Sequence, residues 1–412
     1  MIYIFKMALR NVSRNRRRSL LAALSICLSV MFILFMKGMA DGFLDSMVRN
    51  YTRSETGHIR ITTRGFEERQ RFYPVNENIK NPDKIIESIN GHSQIEEHIT
   101  LITERTQFGV LLSNEGRNKS AAILAGEPYK EKELFMLQKS ILPGGRYLEN
   151  GRDVIIGKKI AQALEYNVGD TVSVVTEASD HSLNMRNFVV AGIFETGLNL
   201  FDDGIAQIGI DDAKHLLRTG ADVQQIIIML DDYRNAEMVA GQIRNLLQRE
   251  DLSVNAWTQI GDYGNMVRYM EVVYGTFYMI IALLGAFIVG NIMMMVVLER
   301  RKEIGIIKSM GLNQREILFM FLAEGAILGL IGSIAGTVLG GVVVTYFHVY
   351  GMDFTAMVGD LKMPMDNVVY FAINPVNFFM TLILAILFSS FMSFGPAWRA
   401  SRLSAVKAIK GV

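Results

Sequence analysis

Six histidines, one cysteine and a few paired acids are the residues of this 412-residue chain best suited to chemistry. They form no catalytic or metal-binding pattern. His92 and His98 stand six apart, which does not put them on one helix face. His58, His181, His215 and His348 are isolated from one another in sequence. Cys27 is the only cysteine, which excludes an intramolecular disulfide and a cysteine-based zinc site. The run from Gly151 to Lys159 has the outline of a phosphate loop. Five residues separate its glycines where four are needed, and Lys159 occupies the position of the magnesium-binding Ser or Thr. Asp202-Asp203 and Asp211-Asp212 read as solvated loop acids. No Gly-x-Ser-x-Gly or His-Glu-x-x-His motif occurs. The expectation is a chain with no catalytic residue, no metal and no cofactor of its own.

Two polar residues are conspicuous for a different reason. Glu324 and Asn291 lie in or beside long apolar runs, where a carboxylate is expensive and an amide invites a hydrogen bond from another helix. The uncharged runs are Leu20–Met36, Val272–Leu298, Gly325–Met352 and Asn367–Trp398. A spanning helix needs about 20 apolar residues, since ~30 Å of hydrocarbon is crossed at 1.5 Å per residue. All four runs qualify, the first by extending past Lys37, whose amine can snorkel to the interface. The first run has basic residues before it but no signal-peptidase site after it. It reads as an uncleaved signal anchor, with Cys27 as a small apolar residue inside it.

Averaged over the chain, charge is uninformative: 42 basic and 41 acidic residues give +1. Its distribution is not. Residues 1–19, 299–317 and 398–412 hold 15 basic and 3 acidic residues; the remainder holds 27 and 38. The positive-inside rule then places both termini and the 299–317 loop in the cytoplasm. The large segment between the first two runs lies outside, as does the 353–366 loop. No basic nucleic-acid binder is indicated.

The fold class expected is an α-helical membrane protein with four transmembrane helices in a 1+3 layout and a large extracytoplasmic α+β domain. Its parts are 1–41 (amphipathic segment and first helix), 42–271 (external domain with stalk) and 272–412 (helices two to four). In the external part, strands are expected at His58–Thr62, Ala121–Ala125, Asp153–Ile156, Thr171–Val175 and Phe188–Ile193. Helices are expected at Lys158–Tyr166, Asp211–Arg218 and Ala236–Arg249, with a turn at Asn167–Asp170. Residues 41–55 and 258–271 are expected to continue helices one and two outward as a stalk.

In helix three, Gly325, Gly329, Gly332, Gly336 and Gly340 share one face, a pattern for close packing on another helix. The partner helix, in this chain or a second one, is left open. Before it, residues 299–317 read as a short amphipathic helix with Ile304, Ile307 and Met310 on one face. Gly311 supplies a left-handed cap, and Asn313 with Glu316 forms a capping box at the start of helix three.

At this point the sequence resembles the FtsX-like permeases of the MacB and LolC/LolE type of ABC transporter. The patches that carry the resemblance are Leu9–Ser19, Thr56–Ile61, Gly192-Ile193-Phe194 with Gly197, Glu324-Gly325, and Pro396–Ala400 with Leu403–Val406. The coupling segment matches through Glu299, Arg300, Lys302, Glu303, Ile304, Gly305, Lys308, Met310 and Gly311, and these with Ile307 are the residues expected to couple to an ATPase. The resemblance implies an inner-membrane permease that dimerises with a second permease chain. It implies two ABC ATPase subunits docked at the coupling helix, with ATP and Mg bound by those subunits. It also implies mechanotransmission of their motion to the external domain. Three functions fit: release of lipoproteins to a periplasmic carrier, MacB-like efflux of peptides or other periplasmic substrates, and FtsX-like activation of a cell-wall hydrolase.

Overall fold

A computed structural model describes residues 2–14, 16–135, 137–196, 199–354 and 368–403. Most of the 353–366 loop, Gly197 and the Ser404–Val406 match lie outside the described residues. The chain divides into two compact units. One holds Met1–Ser46 and the described residues from Arg268 onward; the other is Met47–Val267.

The first unit is helical. It opens with an amphipathic entry helix, Ile2–Arg14. Four helices long and apolar enough to cross a membrane then follow in the expected 1+3 order. The first is Arg16–Tyr51, the second Tyr263–Glu299, the third Gln314–Tyr350 and the fourth Pro375–Met392, continued by an exit helix, Phe394–Ser401. A connecting helix, Arg301–Ser309, links the second to the third. Helices of 37 residues reach about 55 Å, well beyond ~30 Å of hydrocarbon; the first helix runs on to Tyr51 and the second begins at Tyr263, inside the two segments expected to continue them. Pro375 starts the fourth helix, where its missing N–H costs least, and Asn374 caps it by accepting from Val376 N–H at 3.0 Å. The core of this unit joins Ala8 and Val12 to Ile26, Val30 and Leu34, and to Val289, Met293, Phe321 and Leu328.

The second unit is built on nine strands: β1 Ile59–Thr63, β2 Ile99–Asn114, β3 Arg117–Gly126, β4 Asp153–Gly157, β5 Thr171–Glu177, β6 Leu183–Phe194, β7 Ile205–Gly209, β8 Gln225–Leu230 and β9 Leu252–Ala256. Six of them close into a ring in the order β2-β3-β7-β4-β6-β5 and back to β2. Two of the seams, β3–β7 and β4–β6, are parallel. The first half of β2 leaves the ring and pairs with β8, which leads to β1 and then β9. Strict alternation explains the closure. Phe108, Val110, Leu112, Val154, Ile156, Val172, Val174, Phe188, Val190, Ala206 and Ile208 all point into one buried core. Each such side chain contributes roughly 1.5–3 kcal/mol by leaving water. The helices Lys158–Leu164 and Ile210–Leu217 plug this core through Ile160, Leu164, Leu216 and Leu217. The edge strand β9 has three of its outward groups occupied. Val254 O accepts from Arg244 Nη2 at 2.7 Å, Ala256 N–H donates to Gln259 Oε1 at 3.3 Å, and Leu252 N–H to Arg249 O at 3.4 Å.

Every strand and helix expected in this unit is present within a few residues, and Gly169 takes φ +98° in the expected turn. The longest strand, β2, was not anticipated. Its middle carries Glu104 and Arg105, charges that read as surface but are buried. Lys214 Nζ donates to Glu104 Oε2 at 2.7 Å. The Arg105 guanidinium pairs with Glu131 through Nε (3.1 Å) and Nη2 (2.9 Å), and donates from Nη1 to the carbonyls of Ser54 and Glu55.

Candidate coupling site at the basic end of the helix bundle

The connecting helix Arg301–Ser309 stops where the sequence said it would. Gly311 adopts φ +102°, and the Asn313 N–H donates to Glu316 Oε2 at 2.8 Å to start the third helix. Two of its four charges, however, Glu303 and Lys308, face the chain itself, as do Glu299 and Arg300 just before it. Glu303 accepts from Arg14 Nη2 at 2.6 Å and from Arg300 Nε at 2.8 Å. Arg300, though flanked by basic residues, turns inward and donates from Nη2 to Asn11 Oδ1 at 2.8 Å. Glu299 pairs with Arg18. Lys308 Nζ reaches Ser401 O at 2.9 Å and Leu403 O at 2.7 Å, holding the last carbonyls of the exit helix. The Arg300 and Arg14 guanidiniums hold the Glu303 carboxyl below its ordinary range.

The entry helix, connecting helix and exit helix are thus fastened together at one end of the bundle. Ile304 and Gly305 are buried, Ile304 in the core that includes Ala8 and Val12; Ile307 is half-buried. The surface left over consists of Arg301, Lys302, Ile306, Ser309, Met310 and Gly311. Ile306 is 50% exposed and Met310 78%, an apolar ridge between cations. The expected face of Ile304, Ile307 and Met310 therefore splits, because Ile304 is consumed by the chain's own core. Asn11, Arg14 and Ile306 were not singled out from sequence. The partners of the first two lie about 290 residues away, so spacing carried no signal.

Glu324 is buried ten residues into the third helix, not beside its start, with its Oε2 3.9 Å from Arg300 Nη1. Among the described residues, Asn291 has no hydrogen-bond partner on another helix of this chain. It is exposed on the second helix between Phe287, Ile288 and Met295, which are exposed as well.

The five glycines do share a packing face, and it meets two helices of the same chain. A Cβ on Gly325 would run into Ser393 Oγ, and one on Gly329 would lie 3.1 Å from Ile386 Cα. On Gly332, Gly336 and Gly340 the neighbours belong to the first helix: Ala23 O at 2.7 Å, Cys27 O at 2.6 Å and the Leu34 side chain at 3.0 Å. Ser389 adds a hydrogen bond from Oγ to Gly325 O at 2.7 Å. The stripe binds the third helix to both neighbours, which fixes the helix that follows the connecting segment.

Comparison with known families decides the assignment. The model of the MacB-like periplasmic core domain matches residues 19–246, more than half of the chain, and that of the FtsX-like permease C-terminal domain matches 275–405. The chain belongs to the FtsX-like permeases of ABC transporters, of the LolC/MacB type. Relatives of the permease include the lipoprotein-releasing system transmembrane protein LolC of Xylella fastidiosa. That protein is 26% identical over 72% of this chain and 74% of its own length. An uncharacterized ABC transporter permease of Methanocaldococcus jannaschii is 26% identical over 82% of each chain. Among solved structures, the periplasmic region of MacB from Actinobacillus actinomycetemcomitans is similar to this permease. It is 16% identical, with a TM-score of 0.35, over 51% of this chain and 93% of that one. The permease is a multi-pass membrane protein. Among its described residues, no three His, Cys, Asp or Glu come together as a metal site.

Proposed function

We propose that this permease is the membrane subunit of an inner-membrane complex that extracts lipoproteins and hands them to a periplasmic carrier. In this reading both termini and the connecting helix face the cytoplasm, as the basic charge of that end supports. Two ATPase subunits bind ATP and Mg and dock on the connecting helices of two permease chains. The observation that carries the coupling role is the Ile306–Met310 ridge. It is an exposed apolar feature on a helix clamped on both sides by Glu303–Arg14 and Lys308–Ser401. A clamped helix moves its neighbours when pushed, which is what transmission of a stroke requires. The LolC relative supports lipoproteins as the substrate. The MacB-like core domain supports export of a periplasmic substrate as the second reading.

The test is to purify the permease with its ATPase. Ile306→Asp combined with Met310→Asp is expected to weaken association by tenfold or more, the effect of losing about 1.4 kcal/mol at an anchor. Glu303→Gln, whose contacts are internal, is expected to change association far less. Undiminished pull-down by the double variant removes the docking surface. A complex that is stimulated by peptides and ignores triacylated lipoproteins favours export.

A further inference from the structure

The first, second and fourth membrane helices leave a cavity of about 250 Å³ between them. Small residues, among them Gly275, Ala282 and Ala385, make the room. Met279, Met380 and Leu384 line it and are also exposed on the outside of the bundle, so the cavity opens sideways toward lipid. The volume falls below the ~300–1,000 Å³ of sites for compact ligands, and a slender chain suits it better.

Lys37 is the only charged residue in its lining. Its Nζ stands 5.9 Å from the Tyr278 ring centroid and has no ion pair or hydrogen bond among the described residues. Asp41, one turn further on, feels the Lys37 charge, but its hydrogen bond is taken by Asn377 Nδ2, which donates to it at 2.7 Å. Lys37 comes 19 residues after Arg18, about 28 Å along a helix. That is close to one hydrocarbon thickness, ~30 Å, from the basic end. The lysine therefore sits at headgroup level of the opposite leaflet, above an apolar slot. A cation there with no hydrogen bond or close ion pair among the described residues has room for an anion.

We infer that this slot holds one acyl chain of an anionic phospholipid of the surrounding bilayer, with Lys37 against its headgroup phosphate. The inference needs the membrane-spanning helices alone and is independent of the lipoprotein reading. The full chain in mild detergent is titrated with phosphatidylglycerol or phosphatidylcholine, and retained lipid is read by native mass spectrometry. One phosphatidylglycerol is expected per chain, favoured about fivefold over phosphatidylcholine, the size of one lysine's attraction to an anionic headgroup. Lys37→Gln is expected to level the two lipids. Ala282→Leu with Ala385→Leu, which fill the slot and spare the lysine, are expected to reduce retention of both. Equal retention of the two lipids by the unaltered chain overturns the inference, as does a preference that survives Lys37→Gln. So does a cross-link between two chains at Met279→Cys in protein that retains no lipid, since a second permease would then cover the slot. No ATPase enters the measurement, so the outcome stands apart from that of the release assay.

Discussion

The His58 imidazole accepts a hydrogen bond from the Leu230 N–H at 2.9 Å through Nδ1, which it can do only while that nitrogen is unprotonated. Burial, and then the charge of Arg53, push its pKa down to about 4. An exposed histidine in the unfolded chain titrates near 6.5. Between these values the unfolded chain binds more protons, so stability falls as pH falls. The contribution is intact above about 6.5 and lost progressively toward 4, to a total of roughly 3 kcal/mol. Thermal melts from pH 7 to 4.5 are expected to show this slope, and His58→Gln to flatten it. A slope unchanged in the variant assigns the pH dependence to other groups. Residues of this kind are poorly legible in sequence. His58 read as one of six isolated histidines, and Glu303 and Lys308 read as docking charges. Each owes its role to a partner that the fold brings from far along the chain.

Elements were far more legible. The glycine spacing of the third helix, the Gly311 stop and the Asn313–Glu316 start follow from local geometry, and local geometry is what a sequence writes directly. The partner helices were not legible, since a stripe of glycines says only that something comes close. β2 escaped because alternation is a weak signal once buried charges interrupt it. Glu104 and Arg105 look like a solvated break until Lys214 and Glu131 are seen beside them. The glycine stripe yields a prediction at this scale. Gly336→Leu places a side chain against Cys27 O and Val30, backbone and a stiff β-branched residue that cannot swing aside. Overpacking of this kind costs about 1–3 kcal/mol or more. A lowered melting temperature in detergent is expected for Gly336→Leu. Gly275→Leu, with nothing within 4 Å of its Cβ, is expected to cost much less. Equal melting of the two variants contradicts the packing role.

For the molecule as a whole, the near-zero net charge conceals a basic end and an acidic remainder, and the two units follow that division. The unit Met47–Val267 has its own closed core, and its two chain ends meet where Tyr51 stacks on Tyr263 with ring centroids 3.9 Å apart. Residues 47–267 expressed alone are expected to fold and to melt in one cooperative transition by circular dichroism. A broad, non-cooperative melt shows that the unit depends on the membrane helices. Within that unit, the ring of six strands has no beginning and no end, and three outward groups of β9 are already engaged by Arg244, Gln259 and Arg249. This restricts the grammar of recognition on that side. A strand arriving at β9 must first displace these contacts, which favours reading that edge through side chains and loops. Specificity there can be rewritten by surface substitutions that leave the scaffold untouched.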